Sequence, residues 1–273
     1  MKGILVVNHF LKGEKFDTLH AHLTRAAAAM GIELETKTNL DLACSDEVSA
    51  DFILFWDKDV NLAARLEAMG LRVFNSARAI ELCDDKAKTY LALLGKVKQP
   101  KTFIAPLRFN GETPDDFIET AAEKLGLPLV FKECFGSFGE QVHLCESACE
   151  IKSQVTDNPF LLQEFIAESS GADKRLEVVG GEVVACVRRE NKNDFRSNVT
   201  NGGTMTACTP TYEEKALALT ACNALGLDFG GVDILDGGYV CEVNSNAHII
   251  NIMNAAGVDI APKILEYIAG KIK

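Results

Sequence analysis

Apolar runs and their punctuation divide the chain into three stretches of different rhythm. In the first, short apolar runs alternate with helix-periodic segments. Gly3–Val7 reads as a buried strand, and Asp17 is placed to cap a helix through Arg25–Met30 that stops at Gly31. Asp51–Trp56 predicts a second strand, Asn61–Met69 a helix closed by Gly70, and Leu71–Phe74 a third strand. Such alternation predicts βαβ units and a parallel sheet. The fingerprint G-x-G-x-x-G does not follow the first strand, so a nicotinamide cofactor is not indicated.

The rhythm breaks over residues 76–100, where Ser76 and Asp84 are placed to cap two short helices and Gly95–Pro100 ends the pattern. Thr113-Pro114-Asp115-Asp116 predicts a helix start, with a capping Thr, Pro at the first helical position and acids in the first turn; Gly126 ends it. Strands are expected at Leu129–Glu133, Val142–Cys145 and Phe160–Ile166. From Lys174 onward the pattern is antiparallel. Gly180-Gly181 turns between Arg175–Val179 and Glu182–Arg188, a helix runs from Tyr212 to Leu225, and Gly237-Gly238 joins strands Gly231–Leu235 and Tyr239–Asn244. Asp259–Ile268 is the last helix.

Composition narrows the class. The 273 residues carry 39 acidic and 28 basic side chains, a formal charge of −11, with 47% hydrophobic residues. That is a globular chain with a real core, and its charge disfavours nucleic acid or an anionic membrane as main partner. It leaves room for a small anion in a locally basic pocket. The nine cysteines are scattered without a C-x-x-C, which points to reduced thiols in the cytoplasm; Cys145 and Cys149 are spaced to face one another on a helix. No apolar stretch approaches the ~18 residues of a membrane span, and Ile4–Val7 is too short for a signal-peptide core.

The most informative segment is the hairpin Val232–Asn244. If Gly237-Gly238 form a two-residue turn, Asp236 faces Tyr239, Leu235 faces Val240, Ile234 faces Cys241 and Asp233 faces Glu242. Asn244 then points to the same face. Two opposed carboxylates repel unless a cation or proton lies between them. Asp, Glu and an amide oxygen suit magnesium; a merely solvated face is the other reading.

Gly136-Ser137-Phe138-Gly139, with Lys132 just upstream, has the glycines of a phosphate-cradling loop but not the P-loop pattern, and taken alone it reads better as an ordinary turn. Arg188–Arg196 holds four basic and two acidic side chains, either a solvated loop or a substrate loop. His20 and His22 point to different faces of a helix, so they do not form a metal pair. His248, four residues after Asn244, is a candidate for substrate contact. No Ser/His/Asp or Cys/His nucleophile pattern is present.

Taken in order, Asp84-Asp85-Lys86, Pro128–Lys132, Gly136–Gly139, Leu162–Ile166, Asp194–Asn198, Gly231–Leu235 and Glu242-Val243-Asn244 resemble the ATP-grasp superfamily, and within it the RimK-type glutamate ligases. The resemblance implies an ATP-grasp fold of α/β and α+β parts. A Rossmann-like domain would span residues 1–84, a central lid subdomain 85–166 and a C-terminal α+β subdomain 167–273. It implies ATP contacts from Lys86, Lys132, Gly136, Ser137, Phe138, Gly139, Gln163, Glu164, Phe165, Ile166, Asp173 and Arg175. Arg196 and Asn198 would act near the transferred phosphoryl group, and Asp233, Glu242 and Asn244 would hold Mg2+ or Mn2+.

The implied reaction is carboxylate–amine ligation through an acyl phosphate, with glutamate or a similar amino acid as the added group. The alternatives are a phosphotransferase of the same fold or a nucleotide-binding module without turnover. Expected partners are small carboxylates and amines, with a peptide or protein tail and homo-oligomerisation left open. After E-V-N the chain departs from the family's small residue, Ser, Pro, Gly: Ser245-Asn246-Ala247-His248 stands there, on the acceptor side.

Overall fold

The computed structural model describes residues 1–109, 111–137, 139–198 and 202–272. Its first unit runs β1 (Lys2–Val7), α1 (Glu14–Ala29), β2 (Glu33–Thr38), α2 (Asn39–Ala43), β3 (Phe52–Trp56), α3 (Val60–Ala68) and β4 (Val73–Phe74). The strands form a parallel sheet in the order β2-β1-β3-β4. β1 and β3 are buried almost throughout, as central strands of a covered parallel sheet must be. β2, Glu-Leu-Glu-Thr-Lys-Thr, is a polar edge strand that shows no apolar run. The strand order reverses between β1 and β3, and the crevice at their carboxyl ends is where open α/β sheets bind ligands.

Two helices, α4 (Ala77–Asp84) and α5 (Lys86–Leu93), lead to a second sheet. Asp85, not Asp84, caps α5, its carboxylate accepting from the N–H groups of Ala87 and Lys88. The second unit comprises β5 (Thr102–Ile104), α6 (Asp115–Leu125), β6 (Leu129–Glu133), β7 (Val142–Cys145), α7 (Ala148–Gln154) and β8 (Phe160–Glu164), with antiparallel order β5-β8-β6-β7. α6 starts one residue later than the Thr-Pro pattern predicts: Pro114 is the cap, and Asp115 and Asp116 sit at the positive end of the helix. Cys145 lies in β7 and Cys149 in α7, so they share no helix. None of the nine cysteines is in a disulfide.

The third unit contains β9 (Ala172–Val179), β10 (Glu182–Glu190), β11 (Thr204–Ala207), α8 (Tyr212–Leu225), β12 (Phe229–Leu235), β13 (Tyr239–Asn244), α9 (Ile249–Ala256) and α10 (Ile260–Ile272). Its sheet is antiparallel, in the order β11-β10-β9-β12-β13. α1 begins at Glu14 after Gly13, which places Asp17 inside its first turn rather than at its cap.

The first and third units share one core. Leu5, Leu19, Leu23 and Trp56 pack in a single cluster with Val187, Phe229, Ile264 and Ile268. Trp56 stacks on Phe229 at 5.7 Å. Burying side chains of this size contributes roughly 1.5–3 kcal/mol each. Asn75, 1% exposed, clamps the two units: its Nδ2 donates to the carbonyls of Phe229 (2.9 Å) and Ser245 (2.8 Å), and its Oδ1 accepts from Asp228 N (2.7 Å) and Phe229 N (3.2 Å). No helix among the described residues is long and apolar enough to cross a membrane.

Candidate active site

The three units meet at a cleft of about 550 Å³, a volume suited to a nucleotide-sized ligand. Every site residue expected from the sequence that the structure describes lines it; Phe138 lies outside the described residues. Strand β9 supplies the floor, since alternate residues of a strand share a face. Asp173, Arg175 and Glu177 therefore point the same way, opposite Arg189 of β10 and Asp233 of β12.

The expected hairpin register holds at its decisive pair, Asp233↔Glu242, but not nearer the turn. Leu235 pairs with Tyr239 and Ile234 with Val240. The turn spans three residues, and Cys241 is the extra residue of a bulge. The two irregularities cancel by the time the chain reaches Glu242. The bulge also leaves Cys241 in the cleft wall, where Lys132 Nζ approaches its Sγ at 3.5 Å.

Plain solvation does not describe Asp233, and its countercharge comes from protein side chains. It is 3% exposed and gripped by two arginines: Arg175 Nε to Oδ1 at 2.6 Å, Arg175 Nη2 to Oδ2 at 2.7 Å, and Arg189 Nη2 to Oδ2 at 2.8 Å. Burial by itself would raise the Asp233 pKa; Arg175 and Arg189 outweigh it and hold the carboxyl below its ordinary value. Arg189 also pairs through Nε and Nη2 with Asp173, which accepts from Ser197 Oγ at 2.7 Å as well. The guanidiniums supply the countercharge that the opposed acids require.

Glu242 is half-buried and makes no ion pair among the described residues. The Nδ2 of Asn244 is buried without a partner. A carboxylate offers about four lone-pair sites, and Asp233 has three occupied. The carboxylate of Glu242 and the amide oxygen of Asn244 suit a hard divalent ion, with Asp233 retaining one position, whereas the orphaned Asn244 Nδ2 is a donor and calls for an acceptor. No cluster of three His, Cys, Asp or Glu side chains able to hold a metal occurs among the described residues.

Cations gather beside these acceptors. Lys132, on β6, is 7% exposed; its Nζ donates to Gln163 Oε1 at 2.7 Å, and Gln163 Nε2 donates to Thr102 Oγ1 at 2.9 Å. Lys86 opens α5 and reaches the Gly136 carbonyl at 3.5 Å. Burial lowers the Lys86 pKa, Glu242 opposes that shift and Lys132 adds to it, which places the three groups together. Arg196 is held by Asp194 and donates from Nη1 to the Gly139 carbonyl at 2.7 Å. Gly139 has φ +77, and a side chain there would meet Asn198 Oδ1 at 3.3 Å and Arg196 Cδ at 3.4 Å. The glycine loop therefore closes directly onto the Arg196–Asn198 segment. Phe165 and Ile166 add apolar wall, with the Phe165 ring edge-on to Phe195.

A model of the RimK-like ATP-grasp domain matches residues 83–268. The chain belongs to this family. An uncharacterized MG012 homolog of Mycoplasma pneumoniae is 32% identical over 264 residues, covering 90% of this chain and 92% of its own. A probable alpha-L-glutamate ligase of Aeromonas salmonicida is 34% identical over 267 residues, covering 93% and 86%. Among solved structures, D-cycloserine synthetase DcsG superposes over the full length of both chains with a TM-score of 0.79 at 15% identity. D-alanine–D-alanine ligase of Bacillus anthracis, complexed with ATP, gives 0.75 at 18% identity over 100% and 97%. These two likenesses show the ATP-grasp fold.

The ATP-grasp cleft also takes in residues that the sequence reading did not assign to it. Asn8 and Asp57 follow β1 and β3 at the strand-order reversal, Asn8 Nδ2 donating to Asp57 Oδ1 at 2.9 Å. Lys58 pairs with Asp84 at 2.5 Å. Lys15 and His20 come from α1 and Asn251 from α9, while His248, the expected candidate for substrate contact, lines the cleft together with Asn246. The carboxyl ends of β1 and β3 were the available signal for Asn8 and Asp57. His22 points away and bonds Asp259 at 2.8 Å, as the two-faced helix reading requires.

Proposed function

We propose that the chain is an ATP-dependent carboxylate–amine ligase that works with magnesium or manganese and adds glutamate or a similar amino acid. The observation that carries this reading is the convergence, in one cleft, of Lys86, Lys132 and Arg196 with Glu242 and Asn244. Cations poised to hold phosphates stand beside oxygen donors suited to a hard ion. The glutamate-ligase relative covering most of both chains supports the choice of substrate class.

In the proposed reaction a substrate carboxylate oxygen attacks the γ-phosphorus of ATP, and the bond to the β-phosphate oxygen breaks. The products are an acyl phosphate and ADP. An amine nitrogen then forms the amide bond, the phosphate leaves, and the ammonium proton is lost. Lys86 and Lys132 neutralise phosphate oxygens; Arg196 stabilises the phosphoryl group in flight and the tetrahedral centre that follows. Gln163, Glu164, Phe165 and Ile166 receive the adenine, with Val130 and Leu235 as further apolar wall. A divalent ion held by Glu242 and Asn244, with the remaining position of Asp233, would neutralise charge on the polyphosphate. Gly136, Ser137 and Gly139 cover the phosphates and keep water from the acyl phosphate. Asp173 and Arg175 act through the arginine–carboxylate network that fixes the floor. Residues 1–84 supply part of the substrate wall, and 85–166 and 167–273 enclose the nucleotide.

The test is a panel of carboxylates incubated with ATP, magnesium and hydroxylamine. Hydroxamate together with ADP is the expected result. A phosphorylated product without hydroxamate indicates a phosphotransferase, and absence of carboxylate-dependent ADP release would leave nucleotide binding alone.

A further inference from the structure

One wall of the cleft carries a second group of basic side chains, which the ATP reading does not use. Lys15 and His20 project from α1, and His248 stands at the start of α9; all three line the cleft. His248 Nε2 lies 3.2 Å from the Lys15 carbonyl, so the two elements are locked together here across 233 residues of chain. The electrostatics show the proximity from both sides. Burial lowers the His20 pKa, Asp17 opposes it and His248 pushes it further down. Burial lowers the His248 pKa; the hydrogen bond to the Lys15 carbonyl opposes that shift, and the Lys15 charge adds to it. Asp17 is the acid that acts on the group.

Burial disfavours the charged form of both imidazoles, and an anion placed among Lys15, His20 and His248 would favour it. The phosphates already have Lys86, Lys132 and Arg196. Leu19 and Ile252 line the same cleft and are buried, so the wall suits an anion on a short aliphatic stem. His248 also belongs to the segment Ser245–His248, where the sequence departs from related ligases.

We propose that Lys15, His20 and His248 form a carboxylate subsite that reads an anionic group of a substrate other than the carboxylate being phosphorylated. This rests on the ligase reading of the cleft. The group is carried either by a dicarboxylic acyl substrate or by the amino acid that supplies the amine. A site built to bind a charged group rejects the analogue that lacks it, so the subsite sets specificity.

The acyl arm of the test compares glutarate with its monomethyl ester in the hydroxamate assay. The amine arm compares L-glutamate with L-glutamate dimethyl ester, in which both carboxylates are capped. In one arm the free acid is expected to have a KM at least tenfold below that of the capped compound. In His20→Gln, His248→Gln and Lys15→Met that gap shrinks toward unity, while the KM for ATP serves as internal control. Equal constants for free and capped probes in both arms, or a gap that survives all three substitutions, overturns the proposal. Lys15 is exposed, so Lys15→Met tests the subsite even if a histidine variant misfolds. If no probe supports ADP release, the ligase reading fails on its own. Calorimetric titration of glutarate and L-glutamate without turnover then decides the subsite: binding weakened by the substitutions supports it, and no binding to the unsubstituted protein overturns it.

Discussion

Arg175 holds Asp233 through two parallel hydrogen bonds, Nε to Oδ1 at 2.6 Å and Nη2 to Oδ2 at 2.7 Å, on adjacent strands of the third sheet. Arg189 adds a third bond to Oδ2. Asp233 is therefore a structural countercharge as well as a candidate metal ligand, and the two roles separate experimentally. Breaking a buried ion pair from one side costs about 3–5 kcal/mol, because the remaining charges stay buried.

Asp233→Asn is expected to abolish turnover and to lower the melting temperature by roughly 10 °C, at about 2–4 °C per kcal/mol. Glu242→Gln should lose activity at least about a hundredfold yet melt within about 2 °C of the unsubstituted protein, since Glu242 makes no ion pair among the described residues. Differential scanning fluorimetry beside the ADP-release assay measures both. An Asp233→Asn protein that melts normally would show that the arginine pair is not structural.

Lys132 is aimed by a relay that begins on another strand. Thr102 Oγ1 donates to the Pro100 carbonyl at 2.9 Å and accepts from Gln163 Nε2, and Gln163 Oε1 accepts from Lys132 Nζ. A hydrogen bond to a charged group contributes about 1.5–3 kcal/mol. Gln163→Leu should raise the KM for ATP about tenfold or more, and Thr102→Val, one step further back, by a smaller factor. Equal effects of the two substitutions would mean that the relay does not act through Lys132.

Glu177 gives the stability a pH dependence. It is 3% exposed, and its Oε1 has no hydrogen-bond partner. Burial raises its pKa from 4.5 to about 7; Arg175 opposes that rise and Asp233 reinforces it. The folded protein therefore holds the proton more tightly than the unfolded chain. The stabilisation is complete below the unfolded value and is lost as pH rises through about 7. Glu177→Gln keeps the neutral form at every pH. Relative to the unsubstituted protein it should match at pH 4 and gain roughly 2–4 kcal/mol at pH 8. Urea melts at the two pH values measure the difference. A constant offset between them would place the Glu177 titration elsewhere.

Much of this site was legible because it depends on local rules. Strand alternation alone brings Asp233 and Glu242 together, and Lys132 follows from a strand with an ordinary apolar pattern. The residues that were hidden depend on distant chain. Arg189 read as one cation in a mixed loop, because its partners Asp173 and Asp233 come from two other strands. Asp57 and Asn8 follow separate strands and meet only when the parallel sheet forms. β2 went unread because an edge strand with one exposed face has few apolar residues to display. The turn and the bulge of the last hairpin were invisible for a different reason: their errors cancel, so the pattern at Glu242 is the same with or without them.

Asn75 is the hidden residue with the largest consequence. In the sequence it is a polar residue before the capping Ser76; in the fold it is buried between two units with four hydrogen bonds satisfied at once. Its amide is matched in both directions, two donated bonds to carbonyls and two accepted from N–H groups. Asn75→Ala strands those four backbone groups in a buried interface, where each unpaired group costs about 1–3 kcal/mol before relaxation or water entry. A net loss of about 3–5 kcal/mol is expected, near 10 °C in melting temperature. Asn75→Asp keeps acceptors for Asp228 N and Phe229 N but sets a carboxylate oxygen against the carbonyls of Phe229 and Ser245, so it should melt no higher than Asn75→Ala. Because Ser245 follows Asn244 directly, the folded fraction of either variant should also turn over more slowly at low temperature. Thermal melts and ADP release at 20 °C test both halves; an Asn75→Asp protein as stable as the unsubstituted one would mean the two carbonyl bonds carry little of the clamp.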